Sequence, residues 1–295
     1  LLFLLRKIFG TGALKPAASI LLGKHYYDCV IAFRPGICSN LAAYSVKAGR
    51  KITWWHHGEF YVDRVAYGAM CSRMDAVAVV SRACREMLQD HLPELADKLI
   101  CVPNMLDTSA ILQKVEHTPY AKSDLCIVSV GRFAPEKHFE NIVPAAKALQ
   151  AMNLAFMWHI VGDGSERARV EMLITENALK DYVILEGSKT NPYPYMKYAD
   201  LFVHPSYIES QGLTVLEAMT LGVPCVVTKS RGPCEFIKDG VNGLLTEQSP
   251  ESLTEKVLSI LTDKTLYQRI KENTVCPEQF GPDRVMKQIE ALIDG

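Results

Sequence analysis

Short runs of apolar residues rich in β-branched side chains recur along the chain. Each is followed by a polar or glycine-containing turn and then by helical spacing. In the first part the runs are DCVIAF (28–33), KITWW (51–55), AVAVVS (76–81) and LICVPN (99–104). In the second they are DLCIVSVG (124–131), AFMWHIVGDG (155–164), VILEGS (183–188), DLFVHPS (200–206), PCVVTKS (224–230) and GLLTE (243–247). Runs of this length with little alternation suit strands buried on both faces, that is, parallel strands covered by helices. Helical patterns separate them, as in ENIVPAAKALQAM (140–152) and SERARVEMLITENALK (165–180), and the chain closes on PDRVMKQIEALIDG. This alternation predicts an α/β chain with doubly wound parallel sheets.

Apolar periodicity lapses in DTSAILQKVEHTPYAKS (107–123), which predicts a domain boundary there. Residues 1–117 then form a partial amino-terminal Rossmann-like domain of about four strands, with 278–295 packing back on it. Residues 118–277 form a carboxy-terminal domain with a full set of strands. A length of 295 residues agrees with two domains. Lys plus Arg is 32 against 33 Asp plus Glu, a balance that argues against nucleic acid as a partner. Hydrophobic residues at 48% and charged residues at 22% exclude wholesale disorder. The nine cysteines contain no C-x-x-C pair, so reduced thiols in a cytoplasmic setting are expected and a zinc site is not. The opening LLFLLRKIFG has only five apolar residues before Arg6 and Lys7, too few to span a bilayer. At most a peripheral contact with the inner face of a membrane is expected, and a chain starting at Leu1 reads as a cut.

Four segments could carry chemistry. GDGSER (162–167) follows a strand and opens a helix, but Arg167 stands where a dinucleotide fingerprint has its third glycine. It reads as a tight strand-to-helix turn permitted by Gly162 and Gly164. VGRFAPEKHFEN (130–141) puts Arg132 and Lys137 at a strand's carboxyl end beside a helix start. A diphosphate needs such a pair, although a solvated loop pair would look the same. HPSYIESQGLTVLEAMTLGVP (204–224) carries Glu209 in a polar loop after a buried strand and Glu217 inside a helix from Leu213 to Leu221. Glu86/Glu94 and Glu247/Glu255 share that spacing, so the setting and not the spacing singles this pair out. A helix start that can take phosphate, one carboxylate for a sugar and one for a ribose diol describe a nucleotide-sugar pocket. In KITWWHHGEFY (51–61), His56 and His57 end a strand before Gly58, where either a cleft role or a structural one fits. RGPCEFIKDGVNGLL (231–245) reads as a structural corner with a short amphipathic helix. His138 and His117 carry no partnering signal, and His159 and His204 read as strand residues.

VGRFAPEKHFENIVPA, HIVGDGSER, EGSKTNPYPYMKYADLFVHPS, ESQGLTVLEAMTLGVPCV and RGPCEFIKDGVNGLL, in this order, resemble family 4 of the retaining glycosyltransferases. The likeness covers about 120–295 and extends more weakly over 26–104 through WWHHGEF and AVAVVSRAC. It implies the GT-B fold, two Rossmann-like domains facing across a cleft, with NPYPY similar to the subgroup that builds bacterial surface polysaccharides. Arg132 and Lys137 match the pair that neutralises the donor diphosphate. Glu209 and Glu217 match the E-x7-E pair, on donor sugar and ribose respectively. Gly212, Leu213 and Thr214 match the turn beside sugar and phosphate, and His57 matches an amino-domain histidine that reaches the donor sugar. Base contacts are implied at Gly187, Ser188 and Lys189. Gln211 departs from the aromatic usual before the motif glycine. Nothing in 1–25 matches the family's first strand and Gly-rich loop, so roughly the first quarter of a complete enzyme is expected to be absent.

The function expected is a retaining, hexosyltransferase-type glycosyltransferase. It takes a nucleotide-diphosphate donor, UDP the expected nucleotide, and a glycan or lipid-linked saccharide acceptor, with no cofactor and no metal. A truncated nucleotide-sugar-binding fragment and a GT-B nucleotide-sugar epimerase stay open as alternatives.

Overall fold

The computed structural model describes residues 25–115 and 125–295. The leucine-rich start and His117 lie outside the described residues. The chain divides into two compact units, one made of 25–104 with Asp283–Gly295 and the other of Met105–Pro282.

In the first unit β1 (Tyr26–Ala32), α1 (Ile37–Tyr44), β2 (Lys47–Trp55), α2 (Arg64–Cys71), β3 (Ala76–Val79), α3 (Arg82–His91) and β4 (Leu99–Cys101) follow in order. The strands form a four-stranded parallel sheet in sequential order. β3, Ala-Val-Ala-Val, is fully buried, as its unbroken apolar run predicts for a strand covered on both faces. Asp63 and Ser81 cap α2 and α3, accepting from the backbone N–H of Ala66 and Cys84.

The second unit begins with α4 (Thr108–Gln113). It continues through β5 (Leu125–Val130), α5 (Ile142–Ala151), β6 (Phe156–Val161), α6 (Arg167–Glu176), β7 (Val183–Gly187), α7 (Tyr193–Lys197) and β8 (Leu201–His204). It ends with α8 (Leu213–Thr220), β9 (Cys225–Thr228), β10 (Leu244–Thr246), α9 (Pro250–Thr262) and α10 (Lys264–Asn273). Its six parallel strands run in the order β10-β9-β8-β5-β6-β7. Side chains alternate across the sheet, so each face has its own core. Ile127, Trp158, Leu201 and Val226 pack under α5, α6 and α9. Cys126, Val128, Phe202 and Cys225 pack with α7 and α8 on the other face. The buried Ser129 hydroxyl donates to the Val203 carbonyl at 2.7 Å and accepts from Trp158 Nε1 at 3.1 Å, so this core hydroxyl is satisfied.

The closing helix α11 (Pro282–Asp294) buries Val285 and Leu292 in the first unit's core, and Arg50 Nε donates to the Leu292 carbonyl at 2.7 Å. The division therefore falls at 104/105 and 282/283, not at 117/118 and 277/278. Leu106 and Ile111 are buried in the second unit's core, and Leu106 N–H donates to the Phe280 carbonyl at 2.8 Å. Two apolar anchors thus outweigh the polar composition of that stretch. The expected helix in RGPCEFIKDG is a single 3₁₀ turn, Pro233–Glu235. Gly232 there lies against the backbone of Ser210 and Gln211, where a Cβ would come within 2.5 Å of Gln211 Cα. Among the described residues no helix is long and apolar enough to cross a membrane.

Candidate functional site

The order of the second sheet reverses between β5 and β8. From β5 the chain winds outward through β6 to β7, then returns to β5's other side at β8 and continues to β9 and β10. Open α/β sheets bind ligands outside the carboxyl ends of their strands at such a point. Arg132 and Lys137 lie on the loop leaving β5, and Glu209 lies on the loop leaving β8.

These two loops hold each other. The Glu136 carbonyl accepts from Tyr207 N–H and from Ser206 Oγ, both at 3.1 Å. Asn141 Nδ2 donates to Tyr207 Oη at 2.9 Å. His138 turns the chain at φ 47°, and its ring stacks on Tyr207 with centroids 3.8 Å apart. Fixed in this way, Lys137 Nζ donates to Glu209 Oε1, and His204 Nε2 lies 2.8 Å from the same oxygen. The Lys137 and Glu209 side chains are only 19% and 13% exposed. Burial alone would raise the Glu209 pKa, but the bonds and charges of His204 and Lys137 outweigh it and hold the carboxyl at about 2. Glu209 is therefore an ionised, two-donor carboxylate in a nearly closed setting. Arg132 does not join it: its guanidinium is 70% exposed and pairs with Glu136 at 2.9 Å, a surface contact worth little.

Three residues beyond Glu209, Gly212 begins α8 at φ 81°. A Cβ there would sit 2.7 Å from Pro233 Cγ, so both the backbone conformation and the close neighbour require glycine. No side chain caps α8, which leaves the N–H groups of Leu213 and Thr214 and the positive end of the helix dipole available to an anion. Gln211 is buried, at 2% exposure. Glu217 lies one turn into α8, half-buried, and accepts a hydrogen bond from Tyr193 Oη at 3.2 Å. Burial raises its pKa and the Tyr193 bond partly offsets this; burial and the Glu217 charge push Tyr193 up to about 12. Glu86, Glu94, Glu247 and Glu255, which share the spacing, are exposed.

A pocket of about 290 Å³ opens beyond β5, β6 and β7, lined by Gly131, Arg132, Gly162, Asp163, Ser188 and Lys189 among others. Gly162 and Gly164 do more here than permit a turn. A Cβ on Gly162 would lie 1.8 Å from the Gly131 carbonyl oxygen, and one on Gly164 would lie 2.3 Å from that of Phe133. The two loops meet main chain to main chain, with Phe133 N–H donating to the Asp163 carbonyl at 2.9 Å and Glu166 N–H to that of Phe133 at 3.0 Å. The Gly187 carbonyl is taken by Gly162 N–H at 2.9 Å, while Ser188 and Lys189 face the pocket. Beneath them Glu186 gathers His159 at 2.8 Å, Tyr195 Oη at 3.1 Å and Lys189 at 3.5 Å.

His57 belongs to the first unit. Its carbonyl accepts from Trp55 Nε1 at 2.6 Å, and its ring meets Tyr61 edge-on at 4.5 Å. Burial, then the nearby Arg34 charge, lowers its pKa.

The structure thus brings Lys137, Glu209 and the α8 start together, and groups Arg132 with Ser188 in the adjoining pocket. Sequence reasoning missed His204, Tyr193 and the His138–Tyr207 stack. His204 left one trace, a polar residue closing an otherwise apolar strand. Among the described residues no group of three or more His, Cys, Asp or Glu could hold a metal ion.

The chain is 31% identical over 147 residues to the lipopolysaccharide core biosynthesis glycosyltransferase LpsE of Rhizobium meliloti, covering 50% of this chain and 42% of LpsE. It is 28% identical over 176 residues to N-acetyl-alpha-D-glucosaminyl L-malate synthase of Bacillus anthracis, covering 58% of this chain and 46% of the synthase. The matched part is thus less than half the length of either relative. The crystal structure of Anabaena HepE in complex with UDP superposes with a TM-score of 0.80 at 18% identity, covering 95% of this chain and 82% of HepE. At that identity the likeness establishes the fold, two Rossmann-like parallel-sheet units of the GT-B class. Residues 112–275, more than half of the sequence and the stretch that holds Arg132, Lys137, Glu209 and Glu217, match the family described as glycosyl transferases group 1, and the chain belongs to that family.

Proposed function

We propose that this chain acts as a retaining family 4 glycosyltransferase, with its second unit binding the donor. It would move a hexosyl unit from a UDP-sugar to a glycan or lipid-linked saccharide. The observation that carries the reading is the meeting of Lys137 and His204 on Glu209 at the β5/β8 switch point, beside the uncapped start of α8. That arrangement joins a fixed carboxylate, suited to sugar hydroxyls, with the Lys137 cation and free N–H groups suited to a diphosphate.

In this reading the pocket beside Gly131 and Ser188 takes the base, with Gly187 to Lys189 presenting backbone to it. Glu217, held by Tyr193, accepts from the ribose diol. Arg132, Lys137 and the Leu213–Thr214 N–H groups stabilise the diphosphate as the bond from the anomeric carbon to its phosphate oxygen breaks. Negative charge grows on that oxygen as the bond lengthens, and donors already aimed there lower the barrier without reorganising. Glu209 holds the donor sugar through its hydroxyls, with no covalent ester. The acceptor hydroxyl attacks on the face the diphosphate leaves, bonding to the anomeric carbon as the bond to phosphate breaks and passing its proton to the departing phosphate oxygen, which retains configuration. The diphosphate charge is carried by side chains and the helix start, so no metal is required. The chemistry is cytoplasmic, with the acceptor drawn from a membrane surface where it is lipid-linked. Support comes from the family match, from the relatives' printed transferase names and from the UDP bound in HepE.

The test is to titrate the chain with UDP, UDP-glucose and UDP-N-acetylglucosamine by calorimetry, then follow the donor's anomeric proton by NMR with and without saccharide acceptors. Binding with retained configuration in the product supports the reading. UDP-sugar binding without any turnover would reduce it to a binding fragment, inversion at a ring hydroxyl would favour an epimerase, and absence of UDP binding would overturn it.

A further inference from the structure

The carboxyl end of the first unit's sheet holds a cluster of which the family resemblance assigns only His57. Phe33 and Arg34 follow β1, and His56 and His57 follow β2, its parallel neighbour through Ala32 and Thr53. Phe33 stacks on Trp54 with centroids 5.1 Å apart, and Trp54 stacks on His56 at 6.0 Å with planes 11° apart. Tyr61 tilts against Trp55 at 5.3 Å and meets His57 at 4.5 Å. The two outer rings, Phe33 and Tyr61, are each 56% exposed although both rest on buried tryptophans.

Arg34 stands among these rings as an exposed cation. Its charge acts on His56, His57 and Tyr61 alike, as the neighbouring ends of β1 and β2 place it. Among the described residues no ion pair holds Arg34. The charged groups acting on the two imidazoles are Arg34 and, for His56, His57; no carboxylate is among them. Asn104 bonds His56 and is neutral. Arg34, His56 and His57 therefore share one sheet edge beside two exposed aromatic rings.

We propose that this edge is a subsite for a saccharide bearing an oxyanion, its phosphate or carboxylate held by Arg34 and His56 and its ring packed on Phe33 or Tyr61. The guanidinium forks onto two oxygens, and the apolar face of a pyranose packs on an aromatic ring as other apolar surface does. The proposal rests on the transferase reading in that it makes the first unit the acceptor side, and it adds the acceptor's chemical class. A neutral acceptor sugar would leave the Arg34 guanidinium unpaired.

The experiment measures binding of glucuronate, glucose 6-phosphate and glucose to the full chain by saturation-transfer NMR, with UDP binding followed separately by calorimetry. The expected result is binding of at least one anionic sugar about tenfold or more tighter than glucose, weakened by added salt. Which of the two anions binds identifies the group as carboxylate or phosphate. Arg34→Gln, at an exposed position, should lose that advantage about tenfold while the UDP affinity stays unchanged, and Arg34→Lys should restore part of it. Glucose binding as tightly as both anions, or Arg34→Gln leaving anion binding intact, would overturn the proposal. Loss of UDP binding in the unaltered chain would strike the donor reading instead, and the comparison among the three sugars would still be read.

Discussion

Lys137→Ala tests the switch-point assignment most directly. In the free protein Lys137 Nζ donates to Glu209 Oε1, and both side chains are largely covered. Removing the amine leaves Glu209 with His204 as its remaining close donor at 2.8 Å. One charged hydrogen bond is lost, a cost of about 1.5–3 kcal/mol, and thermal unfolding should register it as a fall of several degrees. The same amine is assigned to the donor diphosphate, so UDP should bind about ten- to a hundredfold more weakly. Uridine lacks the diphosphate and should lose no more than about threefold, less than 1 kcal/mol. Calorimetric titration of both ligands into wild type and variant gives the two ratios. Lys147→Ala, which removes an exposed lysine bonded only to Asn177, serves as the control and should change neither. Equal losses for UDP and uridine would show that Lys137 acts through the fold of the loop, and the diphosphate assignment would fall.

Glu217→Ala should weaken UDP binding about tenfold, while Glu86→Ala and Glu94→Ala leave it unchanged; comparable effects at all three would remove the reason for choosing Glu217. Donor binding should survive excess EDTA in a titration, and loss with rescue by Mg²⁺ or Mn²⁺ would contradict a charge balance built on Arg132, Lys137 and α8. Glu209 is held at about 2 against an ordinary 4.5, so its folded state binds the proton less readily than the unfolded chain. Its contribution, on the order of 3 kcal/mol, is fully present above pH 4.5 and is lost as pH falls toward 2. Glu209→Gln should therefore flatten the acid limb of a stability–pH curve in that window, and an unchanged slope would refute the pairing. Gly162→Ala should destabilise the second unit by more than 2 kcal/mol in denaturant titration, because its Cβ would meet a carbonyl oxygen at 1.8 Å; a wild-type midpoint would refute the close approach.

Much of this architecture is written locally in the sequence. The strands of both sheets follow from unbroken apolar runs, because a strand buried on both faces has no polar face to alternate. Arg132, Lys137 and Glu209 were legible as residues at strand ends for the same reason. Their partnership was not. Lys137 and Glu209 are 72 positions apart and meet because β8 returns to pair with β5, a choice of neighbour that no local pattern encodes. His204 stayed hidden because its ring occupies a buried strand position and its role depends on a loop carboxylate beyond the strand. Tyr193 read as part of a motif, while its bond to Glu217 needs α7 packed beside α8. The domain edges moved because Leu106, Ile111 and Phe280 are sparse anchors in polar surroundings, and two or three buried side chains decide where a segment docks.

The contact of the Gly131–Phe133 and Gly162–Gly164 turns has a practical corollary for redesign. Both glycines are walled in by carbonyl oxygens and admit no side chain, and the loops are fastened by peptide groups, with Ser165 Oγ adding a bond to the Phe133 carbonyl at 3.4 Å. Asp163 stands between the two and lines the pocket, its side chain accepting from Gly164 N–H at 2.7 Å. It is thus the one position of the Gly162–Gly164 turn whose chemistry can be rewritten while the scaffold stays put. Exchanging Asp163 for asparagine or serine would reset the charge of the pocket wall by one unit and leave the backbone register to its neighbours, which makes this turn an addressable site for altering ligand preference.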